Sequence, residues 1–241
     1  MSELDPTPTL TATDHKPPSR DEIVKIVSDF YHFLATFPYF DASYIKVPPP
    51  GGWPEEICDS FRKLGKTAEV VDLLKHLPYL TIDRDMEVFN ETPALNYTHP
   101  PLLKRIDTDG DDYRINPPWE KIPSYVVSLT NGGNYGVYLL LNMQTGMLPF
   151  SYKYTRKNVS NTWTGNVTEY SLLGYPQPRL ADENLKSGES WKLYPTQPIN
   201  EFFTMKTQNY KSLQEIPVAT RPNNGMIWPR GGAKERHEMM V

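Results

Sequence analysis

Four side chains that are well suited to chemistry lie in one short stretch, Asp107-Thr-Asp-Gly-Asp-Asp112. Carboxylate oxygens at close spacing are the ligands that Ca²⁺ prefers in proteins. The EF-hand loop needs a glycine at its sixth position and a glutamate at its twelfth, whereas this stretch has Gly110 at the fourth and Pro118 at the twelfth. Four acids in one loop also lack the contrasting environments that separate a general acid from a general base. We therefore predict a solvated acidic loop over 107–112, without a bound metal ion.

The five histidines are spread along the chain, at positions 15, 32, 76, 99 and 237. No two of them have the spacing that places two metal ligands on one face of a helix. His32 and His76 lie on predicted helices, and His99 precedes Pro100-Pro101 in a predicted extended loop. A general base must lie within hydrogen-bond reach of its proton, and no spacing in the sequence indicates such geometry. We assign no catalytic residue and no metal site.

Cys58 is the only cysteine of the chain, so neither an internal disulfide nor a thiolate metal cluster can form. It lies beside Ile57 and close to Phe61 in a predicted helix. We interpret it as a small apolar core residue and not as a nucleophile, because no histidine is near it in sequence.

The glycines of Gly132-Gly-Asn-Tyr-Gly136 superficially resemble a phosphate-binding loop. A dinucleotide fingerprint requires a helix after the glycine turn, whereas residues 137–141 are typical of a strand. Asn and Gly between runs of Val, Leu and Tyr indicate a tight β-hairpin, since glycine adopts positive φ without steric cost. We predict two strands joined at 131–134, and a second turn at 143–146.

Aromatic side chains are the strongest indication of a binding surface in the sequence. The chain has 5 tryptophans and 15 tyrosines, which is more than a core of this size needs. Both residues are enriched where one end of a ring is apolar and the other is wet. The alternative is that most of them lie in the core or support proline-rich loops. The candidate residues for contact with a ligand or a protein partner are Trp53, Trp119, Tyr138, Trp163 and His99.

Charge and hydropathy exclude several function classes. The net charge of −4 and the scattered lysines and arginines offer no broad surface to a phosphate backbone, so we expect no nucleic-acid partner. No run approaches the length of about 18 apolar residues, so no membrane span is predicted. The first residues, Met-Ser-Glu-Leu-Asp, lack the basic start and the apolar region of a signal peptide. We expect a cytoplasmic protein, with the nucleus as an open alternative, and we assign no cofactor.

Local signals divide the chain into a tail, one domain and a second tail. Residues 1–18 are rich in Thr, Pro and Asp and are predicted to be disordered, because they offer little apolar surface to bury. Ser19-Arg-Asp-Glu22 fits a capping box, which predicts a helix that Pro38 ends. We predict that a single domain spans 19–218 and that 219–241 is a flexible tail.

The order of elements predicts an α+β fold. Residues 47–54 are predicted to be extended with a glycine bend, and helices are predicted to start at Pro54 and Thr67. A run of strands follows, and Pro198 opens a closing C-terminal helix. Strands that are adjacent in sequence and joined by tight turns form antiparallel sheets. The prediction is N-terminal helices, a central antiparallel sheet with a glycine hairpin, and a closing helix.

Around the glycine hairpin the sequence resembles the SUKH superfamily, which includes fungal cell-wall-assembly regulators and bacterial immunity proteins. The matching positions are Gly132, Gly133, Gly136 and Gly146, with 198–213 as the closing helix. The chain is also similar to uncharacterised fungal proteins that carry Pro-Pro-Pro-Gly-Gly-Trp and then Leu-Leu-x-His-Leu-Pro-Tyr. The resemblance implies a mixed sheet with flanking helices and a protein-binding role, and it implies no catalytic residues.

Two functions are compatible with these observations. The first is a non-enzymatic, intracellular protein-binding or regulatory scaffold domain, whose sheet face or aromatic-lined groove contacts a protein partner. The alternative is an enzyme or auxiliary factor of small-molecule metabolism, such as secondary metabolism, with a pocket walled by Tyr and Trp. In that case His99, Tyr138 and Asp107 are the first residues to test.

Overall fold

The computed structural model describes residues 16–38, 40–81, 87–89, 92–109, 115, 122–131, 137–152 and 196–215. Most of the tail predicted over 1–18 and all of the tail predicted over 219–241 lie outside these residues. The candidates Trp119 and Trp163 and the glycines 132, 133 and 136 of the predicted hairpin turn also lie outside them.

The described residues form helices and antiparallel sheets, with several strands consecutive in the chain, so the fold is α+β, as the order of elements predicts. The helices are α1 (Arg20–Leu34), α2 (Glu55–Lys63), α3 (Ala68–His76), α4 (Pro100–Asp109) and α5 (Ile199–Lys211), with a turn of 3₁₀ helix at Ala42–Tyr44. The strands are β1 (Ile45–Lys46), β2 (Tyr79–Leu80), β3 (Glu87–Phe89), β4 (Thr92–Pro93), β5 (Val126–Ser128), β6 (Val137–Asn142), β7 (Met147–Tyr152) and β8 (Thr196–Pro198). They pair antiparallel as β1-β2, β3-β4 and β5-β6-β7-β8.

Helix α1 begins at the predicted capping box. The Ser19 hydroxyl accepts from the Glu22 amide, and the Glu22 carboxylate accepts from the Ser19 amide at 2.7 Å. This exchange satisfies two of the backbone donors that a helix start leaves unpaired. The apolar residues repeat at helical spacing and are buried along one face, at Ile23, Val27, Phe30, Tyr31 and Leu34.

Helices α2 and α3 form where the prolines and the cap residue predict them. Pro54 is the N-cap of α2, where its missing N–H costs nothing, and Thr67 is the N-cap of α3. Apolar residues that repeat at helical spacing along α3 and its C-cap are all buried: Val70, Val71, Leu73, Leu74 and Leu77. The cap residue and the apolar repeat therefore account for the start and the buried face of α3.

The turn predicted at 143–146 connects β6 to β7. Asn142 pairs with Met147, and Gly146 adopts a φ of +68°. A Cβ at Gly146 would lie 2.1 Å from the Pro18 Cδ, so the start of the described chain packs directly on this turn. Glycine is required here by both its φ and the close approach of Pro18.

Both faces of β6 are buried. Val137, Leu139 and Leu141 belong to the main core, whereas Tyr138 and Leu140 pack with Val126 of β5 in a second, smaller cluster. Successive side chains of a strand point to opposite faces, which explains this division. Both faces of the sheet are thus covered at β6, and neither forms an open contact surface there.

Helix α4 lies where the sequence was interpreted as loop. The structure places Pro100 and Pro101 in the first turn of α4 and Asp107 and Asp109 in its last turn. The predictions of an extended loop after His99 and of an acidic loop at 107–109 were therefore wrong, and residues 110–112 lie outside the described residues. Proline suits the first turn of a helix because its missing N–H is one of the donors left unpaired there.

Phe30 lies where α1, β3 and α5 meet. Its ring centroid is 5.6 Å from that of Phe89, 4.9 Å from that of Phe203 and 6.3 Å from that of Tyr210. Its side chain is 2% exposed. Phe30 therefore connects the N-terminal and C-terminal helices through one aromatic cluster.

Candidate binding surface

The most exposed large apolar side chain of the described residues lies between β1 and α2. Val47 is 63% exposed, and Pro49, Pro50 and Gly51 beside it are also exposed. We call residues 47–52, Val-Pro-Pro-Pro-Gly-Gly, the proline turn. Within it Pro48 is half-buried and Gly52 is buried, so the apolar side chains that it presents to solvent are those of Val47, Pro49 and Pro50. The other apolar side chains are mostly buried or half-buried where described.

The consecutive prolines restrict the backbone conformation of the proline turn. Val47, Pro48 and Pro49 each precede a proline, which disfavours the helical region and leaves extended or polyproline II conformations. The Gly52 amide donates to the Pro49 carbonyl at 2.9 Å, and Gly51 has a φ of +90°. These features define a type II turn with proline at its first central position, where φ and ψ are about −60° and +120°. Residues 47–50 therefore form one continuous extended segment.

Two hydrogen bonds from Trp53 clamp the proline turn to the C-terminal end of α3. The Trp53 amide donates to the Lys75 carbonyl at 2.8 Å, and the indole Nε1 donates to the Leu77 carbonyl at 2.9 Å. Carbonyls in the last turn of a helix have no partner inside the helix, so Trp53 satisfies acceptors that α3 leaves unpaired. A Cβ at Gly52 would lie 2.7 Å from the Lys75 carbonyl oxygen. The proline turn is thus fixed against α3.

An ion-pair network lies at the base of the proline turn. The Glu55 carboxylate accepts from the Lys75 ammonium and, at 2.8 Å, from the Arg62 guanidinium. Lys75 first, and then Arg62, lower the pKa of Glu55 from 4.5 to about 2. The Glu55 and Arg62 side chains are more than half exposed, so solvent screens the interaction.

The lowered pKa of Glu55 predicts an acid-dependent loss of stability. A carboxyl whose pKa falls on folding stabilises the folded state above its unfolded pKa, and this contribution disappears as the pH falls through the folded pKa. We expect Glu55→Gln to be less stable than the wild type at pH 7, and the difference to shrink between about pH 4.5 and pH 2. Urea unfolding followed by tryptophan fluorescence at a series of pH values measures this difference.

Glu56→Gln is the matched control for this experiment, since it removes the adjacent exposed carboxylate from the same turn of α2. If the two variants showed the same dependence on pH, the role of the Glu55 network would be contradicted.

Of the residues predicted to contact a ligand or partner, those that the structure describes lie on separate elements. Trp53 is half-buried at the base of the proline turn, with its ring centroid 5.7 Å from that of Tyr79. Tyr138 is 1% exposed on β6, where it contributes to the second cluster and not to an open groove. His99 is half-buried directly before α4, and its carbonyl accepts from the Leu102 amide at 2.9 Å. The structure assigns Trp53 a clamping role beside the exposed surface.

His99 and Asp107 are not brought together. They lie at opposite ends of α4, eight residues apart, which corresponds to about 12 Å along a helix. The Asp107 carboxylate accepts from the Lys63 ammonium at 2.8 Å and from the Ser60 hydroxyl at 2.9 Å. These two contacts, Lys63 first, lower the pKa of Asp107. Asp107 thus connects α4 to α2, and the pair does not form an acid–base site.

Cys58 lies beneath the proline turn. It is buried, and its Sγ donates to the Trp53 carbonyl at a distance of 3.6 Å. Burial raises the pKa of the Cys58 thiol, which disfavours the nucleophilic thiolate. This environment agrees with the interpretation of Cys58 as a core residue.

From the sequence the proline turn was predicted only as an extended connection with a glycine bend, and its exposed surface was missed. The available signal was an apolar residue before three consecutive prolines at a predicted bend, at 47–50. The aromatic residues indicated Trp53 instead, which lies next to the exposed residues.

Among the described residues, no group of three or more His, Cys, Asp or Glu side chains is placed to hold a metal ion. None of the described helices combines the length and the apolar character that crossing a membrane requires. No protein-family model matches the sequence, and no curated protein or solved structure is significantly similar to it.

Proposed function

We propose that this protein is a non-enzymatic protein-binding domain and that the proline turn is its contact surface. The observation that carries the proposal is the combination of exposure and fixed geometry at one place. Val47, Pro49 and Pro50 are exposed, while Trp53 bonds the end of the same turn to α3.

A fixed apolar turn is well suited to binding because its conformation is set when the protein folds. Ordering a flexible loop on association costs entropy that reduces affinity, whereas a preorganised segment avoids most of that cost. Covering the exposed valine and prolines then contributes about 25 cal/mol for each Å² of apolar surface removed from water. The proline turn meets both conditions.

The order of elements supports the same class of function. N-terminal helices, a run of strands and the closing helix α5 follow one another in the order that the SUKH resemblance implies, with α4 between β4 and β5. The described strands pair only antiparallel, whereas the resemblance implies a mixed sheet. We therefore propose a SUKH-like domain, for which the resemblance implies protein binding. A cytoplasmic location stays a prediction.

Site-specific photocrosslinking tests the contact surface. A photoreactive phenylalanine analogue placed at Val47 of the full chain is expected to give a discrete protein adduct in native lysate. Combining this probe with Pro49→Ala and Pro50→Ala is expected to reduce the adduct at least tenfold, because the extended segment loses its covalent restriction.

The matched control places the same analogue at Thr108, an exposed residue in the last turn of α4. The same adducts from both positions, or none from Val47, would contradict the proline turn as the contact surface. Circular dichroism of each variant verifies that the fold is retained.

A further inference from the structure

We infer that the partner carries an aromatic-lined groove that accepts a polyproline II segment, with a carboxylate at the end that receives Lys46. This inference rests on the proposed function and specifies the chemistry of the partner. Three observations carry it: the extended conformation of the proline turn, the lack of backbone N–H groups at its prolines, and the positive charge of Lys46 beside it.

The conformation of residues 47–50 matches the ligand of such a groove. A polyproline II helix has three residues per turn and rises about 3.1 Å per residue. Val47 and Pro50 therefore lie on one edge of the segment, about 9 Å apart. Grooves that recognise such segments hold apolar side chains between aromatic rings. Gly51, with a φ of +90°, ends the segment abruptly, so the groove needs to hold only four residues and the lysine before them.

The hydrogen-bonding groups of the segment also select this partner. Pro48, Pro49 and Pro50 have no backbone N–H, so this stretch offers only carbonyl acceptors, of which that of Pro49 already accepts from the Gly52 amide. An added β-strand requires alternating donors and acceptors and cannot pair with it. Tyr hydroxyl and Trp indole groups donate hydrogen bonds and also present apolar rings, as the exposed prolines require.

Lys46 gives the segment a direction. It is exposed at the end of β1, immediately before Val47, whereas the other end of the segment is the uncharged Gly51. A carboxylate at one end of the groove would pair with the Lys46 ammonium and exclude the reversed orientation. The small contact area predicts a weak, transient complex.

Titration of the full chain into isotope-labelled SH3 and WW domains tests the inference, since both classes have aromatic-lined proline grooves. Chemical shifts of groove aromatic residues are expected to move in at least one domain. Pro49→Ala combined with Pro50→Ala is expected to weaken binding at least tenfold. Lys46→Glu is expected to weaken it at least threefold at low salt and less at high salt.

Pro17→Ala is the matched control, because Pro17 is exposed in a Pro-Pro pair outside the proline turn, and it is expected to leave binding unchanged. Val47→Ser tests the same surface without altering a proline. If neither class of domain binds while the Val47 crosslink persists, the partner class is wrong and the proposed function stands. If binding occurs but Pro17→Ala abolishes it and the turn variants do not, the inference is overturned.

Discussion

Phe30→Ala is expected to destabilise the protein by about 3–5 kcal/mol, the usual range for removing a fully buried phenylalanine. The side chain is 2% exposed and contacts aromatic rings from β3 and α5. Its removal leaves a cavity where the N-terminal and C-terminal helices meet, and rigid neighbouring rings limit collapse into that space. Equilibrium urea unfolding at pH 7 measures the loss.

Two further variants make the Phe30 result interpretable. His32→Ala changes an exposed residue of the same helix and is expected to alter stability by no more than about 0.5 kcal/mol. Phe30→Leu keeps part of the volume and is expected to cost less than Phe30→Ala, so it remains measurable if the alanine variant does not fold. Equal stabilities for wild type and Phe30→Ala would show that the aromatic cluster does not connect these helices.

Gly52→Ala is expected to displace the proline turn from α3. Gly52 has a φ of +94°, and a Cβ there would lie 2.5 Å from the Lys75 Cγ and 2.7 Å from the Lys75 carbonyl oxygen. The unfavourable φ costs about 1–3 kcal/mol. Relieving the contact with backbone oxygen adds about 1–3 kcal/mol, as for other overpacked sites. Thermal or urea unfolding gives the total, and crosslinking from Val47 reports the altered surface.

Gly51→Ala separates the two costs. Gly51 has a similar φ of +90°, but a Cβ there meets nothing within 4 Å. It is expected to show the backbone cost alone, so Gly52→Ala must be the more destabilising of the two. The reverse order would rule out the close approach to Lys75 as the reason for glycine at position 52.

Elements set by neighbouring residues could be predicted from the sequence. The capping box at Ser19 predicts the start of α1, the apolar repeat predicts the buried face of α3, and Gly146 marks the turn before β7. Each of these signals acts within a few positions of the residue that carries it. The α+β class depends on such local signals and was therefore predicted.

Elements of the fold that depend on contacts between residues far apart in the sequence were not predicted. Strand β8 pairs with β7 across a long stretch of chain, and no local pattern in Thr196–Pro198 indicates it. Helix α4 was missed because a proline pair suggested extended chain, although proline also begins helices. For the proline turn, the extended conformation of residues 47–50 could be predicted from the sequence. Its attachment to Lys75 and Leu77 could not, because that attachment is a tertiary contact.

Because Cys58 is buried beneath the proline turn, the reactivity of its Sγ measures the local stability of that part of the fold. Because it is the only cysteine in the chain, every reaction with a thiol reagent occurs there. Its Sγ is enclosed beneath Trp53, so the reagent reaches it only when this part of the fold opens. The ratio of its labelling rate to that of a free thiol gives the free energy of local opening under native conditions. A partner that binds the proline turn would slow this labelling. The labelling rate of Cys58 would then measure how much of the protein has a partner bound there.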